Sequence, residues 1–253
     1  MQETTTPVAT QPKPMSLMEK LVNVFSSPGE LYENVRDTPP TTSNWLIPWI
    51  ILIIVSIALN FVMMSNPSLT DQLGATMRHA MEKNVTEGKM TQDQADNAYE
   101  MMKPGTVYFT VISLGGIILW TLGGLFALGL VYWLVGKSAM SATAPYIKVV
   151  EVVGLTFYIS VLEVIVTTLM MFVFDRLSAT PSLALFVPDF DFTNKVHLFL
   201  SKVNIFTFWI LAVTSIGLSK LFRRDLLKVL VLVVALWILW TVITVFAGCG
   251  VGR

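Results

Sequence analysis

The sequence predicts an all-α membrane protein with five transmembrane helices. Only 13% of its 253 residues are charged, about half the share in soluble domains, and the mean hydropathy is +0.66. Two charge-free apolar runs, Val203 to Ser219 and Val229 to Gly252, flank a short basic turn at residues 220–228. A hydrocarbon core of ~30 Å takes about 20 helical residues, and lipid requires an internally bonded backbone. Both runs are therefore expected to cross the membrane as helices.

Five apolar segments are expected to span the bilayer. They lie at about residues 45–64, 106–135, 149–174, 203–222 and 226–248. A polar insertion at residues 65–105 predicts a helical hairpin outside the bilayer, where Thr91 and Gln94 form a capping box. Leu183 to Val187, after the third span, is too short to cross. Two alternatives stay open for this stretch, a re-entrant segment or one resting on the membrane surface.

The chain before the first span is expected to have two parts. Residues 1–16 are rich in Thr, Pro and Gln, a composition typical of disorder. Residues 17–44 predict two amphipathic helices, the first with Lys20 on its polar face and the second opened by a capping box from Ser27 to Glu30. Their apolar faces consist of Leu17, Leu21, Val24 and Phe25, then Leu31, Tyr32 and Val35. We expect both to lie on the membrane surface, the alternative being solvated helices packed on loops.

The orientation follows from the basic turn. It carries Lys220, Arg223, Arg224 and Lys228 between two spans, and short basic loops are held on the cytoplasmic side. The positive charges of the loops on the two sides of the membrane nearly balance, so the compact basic turn determines the predicted orientation. The prediction is a cytoplasmic N-terminus and, after five spans, an external C-terminus; in a bacterium the membrane would be the inner, cytoplasmic one.

Two acids lie within the third span. Glu163 is near its middle, where a charge costs ~2.5 to 3.5 kcal/mol on insertion scales. We expect it to be neutral, to face the bundle interior and to bond hydroxyls of Thr121, Ser160, Thr214 or Ser215. It would either join two helices or handle ions or protons. Glu151 lies three residues after Lys148, a spacing that predicts an ordinary interfacial ion pair.

A stripe of glycines marks the second span. Gly116 and Gly123 are seven residues apart and share a helix face, and small residues let transmembrane helices approach closely. We expect this face to pack within the protomer, with a dimer contact as the alternative. Arg223 and Arg224 are further candidates for function because they concentrate charge in the basic turn.

Several function classes lack their sequence requirements. HExxH, GxSxG and Walker patterns are missing from the sequence, and His79 and His197 fall in loops as expected surface residues. Asp93 and Asp96 lack calcium-loop spacing. The single cysteine, Cys249, is expected to be a buried small residue rather than a reactive thiol. The balanced charge gives no nucleic-acid footprint. We therefore expect no enzyme activity, cofactor, metal or nucleic acid.

Particular stretches of the chain resemble a known family. They are Phe25-Ser26-Ser27-Pro28-Gly29-Glu30, the loop Lys137 to Lys148 before a long span, Val203 to Trp209, Gly217 and the basic turn. Together they are similar to bacterial members of the Yip1 domain family, over about residues 17–248. The resemblance implies five spans, a cytoplasmic N-terminus and, in eukaryotic relatives, membrane trafficking or shaping. The acidic-aromatic motif of those relatives is not evident, so a Rab-type GTPase partner is not implied.

Two functions from different classes remain as the main hypotheses, and a membrane enzyme acting on lipid is a third, weaker one. The first is a non-enzymatic membrane scaffold acting in membrane organisation or trafficking, with the lipid bilayer and either a second copy or another membrane protein as partners. The second is a small-solute or ion transporter or channel that uses Glu163. Five spans do not divide into the two equal halves that many transporters show, which disfavours a monomeric transporter but not a dimeric one.

Overall fold

The structure, a computed structural model, describes residues 13–246. Within this range the chain forms eleven α-helices and one 3-10 turn, so the predicted all-α fold is confirmed. They are α1 (Leu17–Ser26), α2 (Pro28–Asp37), α3 (Ser43–Met64), α4 (Pro67–Thr86), α5 (Gln92–Met102), α6 (Val107–Met140), α7 (Tyr146–Leu155), α8 (Phe157–Phe174), the 3-10 turn (Leu183–Phe186), α9 (Lys195–Lys202), α10 (Ile205–Phe222) and α11 (Leu226–Phe246). Most of the predicted disordered tail, and Cys249, lie outside the described residues.

Five helical segments are long and apolar enough to cross a membrane, as predicted. They are α3, α6, the continuous segment Tyr146–Phe174, α10 and α11. The third span is two helices, because α7 ends at Leu155 and α8 begins at Phe157. At the junction, the Thr156 hydroxyl donates to the carbonyl oxygen of Val153 at 2.7 Å. Such side-chain bonds compete with the backbone bonds of a helix and often bend it.

The third span lies at the centre of the bundle. On one side α7 and α8 pack against α3, and α7 against α6; on the other side they pack against α10, which in turn packs against α11. The hairpin of α4 and α5 lies beyond α3, where the Ser68 hydroxyl donates to Asp175 at 2.7 Å. We call this the hairpin end of the bundle and the opposite one, with residues 220–228, the basic-turn end.

The N-terminal helices differ from the prediction of surface docking. Leu31, Tyr32 and Val35 are buried in the same core as residues of α7 and α10, while Leu17 of α1 stays largely exposed. The apolar face of α2 therefore packs on the protein rather than on lipid, because a groove between α7 and α10 receives it. Proximity of these helices to the membrane interface stays a prediction.

The helix caps agree with the sequence at one of two predicted places. Thr91 and Gln94 form the expected capping box at α5. Ser27 makes no side-chain bond at the start of α2, so that predicted box is wrong. Ser16 and Glu19 form a box that was not predicted, and it lowers the pKa of Glu19 because the backbone and hydroxyl of Ser16 donate to its carboxylate.

Candidate functional site

A polar network is buried where the N-terminal helices meet the bundle. Four side chains form it: Lys20 of α1, Asn44 of α3, and Lys148 and Glu151 of α7. They are 5%, 2%, 4% and 0% exposed, respectively. Buried charges are rare unless they are paired, so the contacts among these groups determine whether the helices assemble. We call these four residues the buried network.

Glu151 is the hub of the buried network. Its Oε2 accepts from Lys148 Nζ at 2.9 Å and from Asn44 Nδ2 at 3.1 Å, and its Oε1 accepts from the backbone N–H of Thr41. Asn44 Oδ1 in turn accepts from Lys20 Nζ at 2.7 Å. One carboxylate thus connects α1, α3 and α7 through direct bonds or a single intermediate.

The second helix joins the buried network through its backbone. Lys148 Nζ donates to the carbonyl oxygen of Val35 at 2.6 Å, in the last turns of α2. A cation there also complements the negative end of the helix dipole. Nearby, the Tyr32 ring lies 3.1 Å from a Cβ placed on Gly217, and its hydroxyl donates to the Val152 carbonyl at 3.3 Å. Burial raises the pKa of this tyrosine.

The buried network holds two lysines for one carboxylate. Burial lowers the pKa of Lys20, Glu151 opposes that change, and Lys148 reinforces it. Each side-chain oxygen and nitrogen atom of Glu151 and Asn44 makes at least one hydrogen bond to a neighbour. The chemistry available is therefore structural: the network fixes how four helices meet, and a buried pair is costly to break.

The sequence identified half of the buried network. The predicted pair between Glu151 and Lys148 is present, but it is fully buried rather than interfacial. Lys20 was expected on the polar face of α1 and is instead buried beside the bundle. The available signal was its spacing four residues before buried Val24, which places both on one face. Asn44, one polar residue in the first turn of an apolar span, was a second signal.

Glu163 has a different partner from those expected. Its Oε1 accepts from Asn204 Nδ2 at 2.7 Å, and Asn204 Oδ1 accepts from the backbone N–H of Phe206, capping α10. Glu163 is half-buried. Thr121, one of the predicted partners, instead accepts from the Trp49 indole at 3.0 Å. The sequence analysis placed Asn204 inside the fourth span, whereas the structure places it just before α10 as the N-cap of that helix.

The glycine stripe does not pack as predicted. A Cβ placed on Gly116 or Gly123 meets nothing within 4 Å in the described part of the chain. Close approaches occur at other glycines instead: a Cβ on Gly154 would lie 2.3 Å from Trp45 Cβ, and one on Gly136 2.5 Å from the Phe222 ring. These glycines join α7 to α3 and α6 to α10.

The two candidate arginines lie in the basic turn. Arg223 ends α10 with a left-handed backbone, φ 53°, and its side chain is exposed. Arg224 Nε donates to the carbonyl oxygen of Met140 at 2.8 Å, connecting the turn to the end of α6. Lys220 pairs with Glu33 of α2 at 2.6 Å. The basic turn is thus anchored to both neighbouring elements.

Both histidines converge on one aspartate at the hairpin end. His79 Nδ1 lies 3.8 Å from Asp191 Oδ1, and the Asp191 backbone N–H donates to His197 Nδ1 at 3.0 Å. His79 and Asp191 line a shallow surface cleft with Phe190 and Phe192. Among residues 13–246 no group of three or more His, Cys, Asp or Glu side chains could hold a metal ion.

Comparison with known proteins identifies the family. The family model of the Yip1 domain matches residues 22–247, nearly the whole chain, from within α1 to one residue beyond α11. No curated protein and no solved structure gives a significant match. The matched region includes the second half of α1, all of α2 and all five spans. The chain is a multi-pass membrane protein of the Yip1 domain family.

Proposed function

We propose that this protein is a non-enzymatic scaffold that organises the membrane around it. The observation that carries the proposal is the buried network, which fixes α1 and α2 to the bundle as a helical platform at the basic-turn end. Each of its ionisable groups is engaged in a hydrogen bond, Lys148 with Glu151 and Lys20 with Asn44. A rigid platform beside spanning helices is suited to binding a partner.

The proposed platform faces the cytoplasm. The basic turn, with Lys220, Arg223, Arg224 and Lys228, lies at the same end as the N-terminal helices, since Lys220 pairs with Glu33 of α2, and short basic loops are held on the cytoplasmic side. Reporter fusions after Lys220 should read cytoplasmic, and a fusion at Lys89 in the hairpin should read external. An external signal at Lys220 would overturn the orientation. In a bacterium the corresponding membrane is the inner one.

A partner would be detected by photocrosslinking in native membranes. A photoreactive residue at Arg223 should give a discrete product with a second copy or another membrane protein. The same residue at Trp120, exposed on α6, should crosslink mainly to lipid and serves as the matched control. Equally diffuse products at both positions would count against a scaffold.

A transporter or channel remains the second candidate, because Glu163 is half-buried within a span and bonded to Asn204. A proton relay needs further ionisable groups along its path, and Glu163 has one amide as its bonded partner. Proteoliposomes containing the purified protein should show no proton or ion flux above protein-free vesicles. Flux that disappears in Glu163→Gln would favour the transporter instead.

A further inference from the structure

The spans have unequal apolar lengths. Between the charged residues Lys202 and Lys220, α10 and the chain before it run uncharged from Val203 to Ser219. A helix of that length spans about 26 Å at ~1.5 Å per residue. The uncharged part of α6, Val107 to Gly136, is about 45 Å, and α3 is about 33 Å. One domain therefore presents two hydrophobic thicknesses.

Hydrogen bonds fix the relative heights of these helices. Asn204 caps the start of α10 at the level of Glu163, whereas α8 continues to Phe174, a further ~16 Å. The end of α3 reaches the same height as the end of α8, because Ser68 bonds Asp175. At the hairpin end, α10 therefore begins about 16 Å below the ends of α3 and α8.

Charged groups mark the lower of these two heights. α9 leads into the start of α10 and packs against α11: Lys202 is two residues before Asn204, and Lys195 Nζ donates to the Phe246 carbonyl of α11 at 3.1 Å. Both lysines are exposed. Farther from the basic turn, the other helices expose apolar side chains, with Leu169 of α8 60% and Val111 of α6 62% exposed.

We propose that the bilayer meets this protein at two heights, thinner along α10 than along α3, α6 and α8. Lipid is the occupant of both faces, since each continues the exposed apolar surface of a spanning helix. A flat bilayer would either bury Lys195 and Lys202 in hydrocarbon or leave Val111 and Leu169 in water, and both are unfavourable. Bilayers thin locally to follow a short span.

This inference deepens the proposed role in membrane organisation and rests on it, since it supplies a means of acting on lipid. Its test needs no partner protein. Nitroxide labels would be placed at Leu169→Cys, Val111→Cys and Lys202→Cys in a Cys249→Ser background, with the full chain in phosphatidylcholine vesicles. Collisions with dissolved oxygen and with a water-soluble nickel chelate report whether each label lies in hydrocarbon or at the aqueous boundary.

The two-height bilayer predicts opposite signals. Labels at Leu169 and Val111 should favour oxygen and exclude nickel, while the label at Lys202 should be nickel-accessible, although it lies about 10 Å closer to the basic turn along the bundle. Lys195→Cys is the second variant if Lys202→Cys misfolds.

If the labels at all positions report hydrocarbon, the bilayer is flat and thick. If the nickel chelate reaches the labels at all positions, the bilayer is flat and thin. If neither oxygen nor the nickel chelate reaches the label at Lys202, that position is covered by protein rather than exposed to lipid or water. Each of these results overturns the inference but leaves the crosslinking test of the scaffold intact.

Discussion

Two glutamates on the third span have different environments. Glu151 is inaccessible to solvent and receives bonds from Lys148, Asn44 and the Thr41 backbone. Glu163, about 18 Å farther along the same span, is half-buried and bonded by Asn204. The sequence placed Glu163 at the costlier depth, yet Glu151 is the one surrounded by donors. The number of donors, more than the depth along the helix, decides which carboxylate organises the structure.

The largest effect is expected for Glu151→Gln. It leaves Lys148 and Lys20 without a carboxylate in a buried site, and breaking a buried pair costs ~3 to 5 kcal/mol. Thermal unfolding in detergent should show a large loss of stability, with Glu163→Gln as the matched control on the same span. The double variant Glu151→Gln/Lys148→Met should recover part of the loss. If Glu151→Gln and Glu163→Gln had the same melting temperature, the contrast drawn between the two glutamates would be wrong.

Packing beside the buried network is expected to be nearly as sensitive. In Gly154→Ala the new Cβ would meet Trp45 Cα at 2.6 Å, one residue from Asn44, and overpacking costs ~1 to 3 kcal/mol. Gly123→Ala, with nothing within 4 Å, should be neutral or gain up to ~1 kcal/mol from helix propensity. Unfolding midpoints of the two variants measure the difference, and a loss at Gly123 would reveal a contact outside the protomer.

A smaller effect is expected at the second glutamate. Glu163→Gln keeps an acceptor for Asn204 and should change the free energy of unfolding by less than ~1 kcal/mol. Asn204→Leu removes both the donor to Glu163 and the cap of α10, so it should cost about 1 to 2 kcal/mol. Chemical denaturation of both variants in the same detergent would test this order. The reverse order would mean that ionisation of Glu163, rather than its hydrogen bond, stabilises the fold.

The smallest effect concerns pH at the exposed edge of α2. The hydrogen bond and charge of Lys220 lower the pKa of Glu33 below its usual 4.5, so this contact stabilises the folded state above that pH. Its contribution is lost as pH falls through the lowered pKa. The protection factors of the α2 amides, which are corrected for the intrinsic pH dependence of exchange, should therefore fall slightly in acid, and Lys220→Met should remove that pH step. An unchanged step in Lys220→Met would assign it to another carboxylate.

The sequence predicted what depends on local pattern. Hydrophobic run length gave the five spans, and i,i+3 spacing gave the pair of Glu151 with Lys148. It could not predict that Lys20 would bond Asn44, since those residues are distant along the chain and meet only after α1 packs. It misplaced the packing glycines for the same reason: Gly116 and Gly154 look alike locally, and only the position of Trp45 distinguishes them.

The docking of α2 also sets an order for biosynthesis. Glu33 and Lys220 are separated by 187 residues, and Tyr32 and Val152 by 120. At about 5 to 20 residues per second, the groove that receives α2 is completed roughly 10 to 40 s after α2 leaves the ribosome. During that interval Leu31, Tyr32 and Val35 have no protein surface to cover them. The nascent chain must therefore shelter its first helices, on the membrane or a chaperone, until the fourth span is inserted.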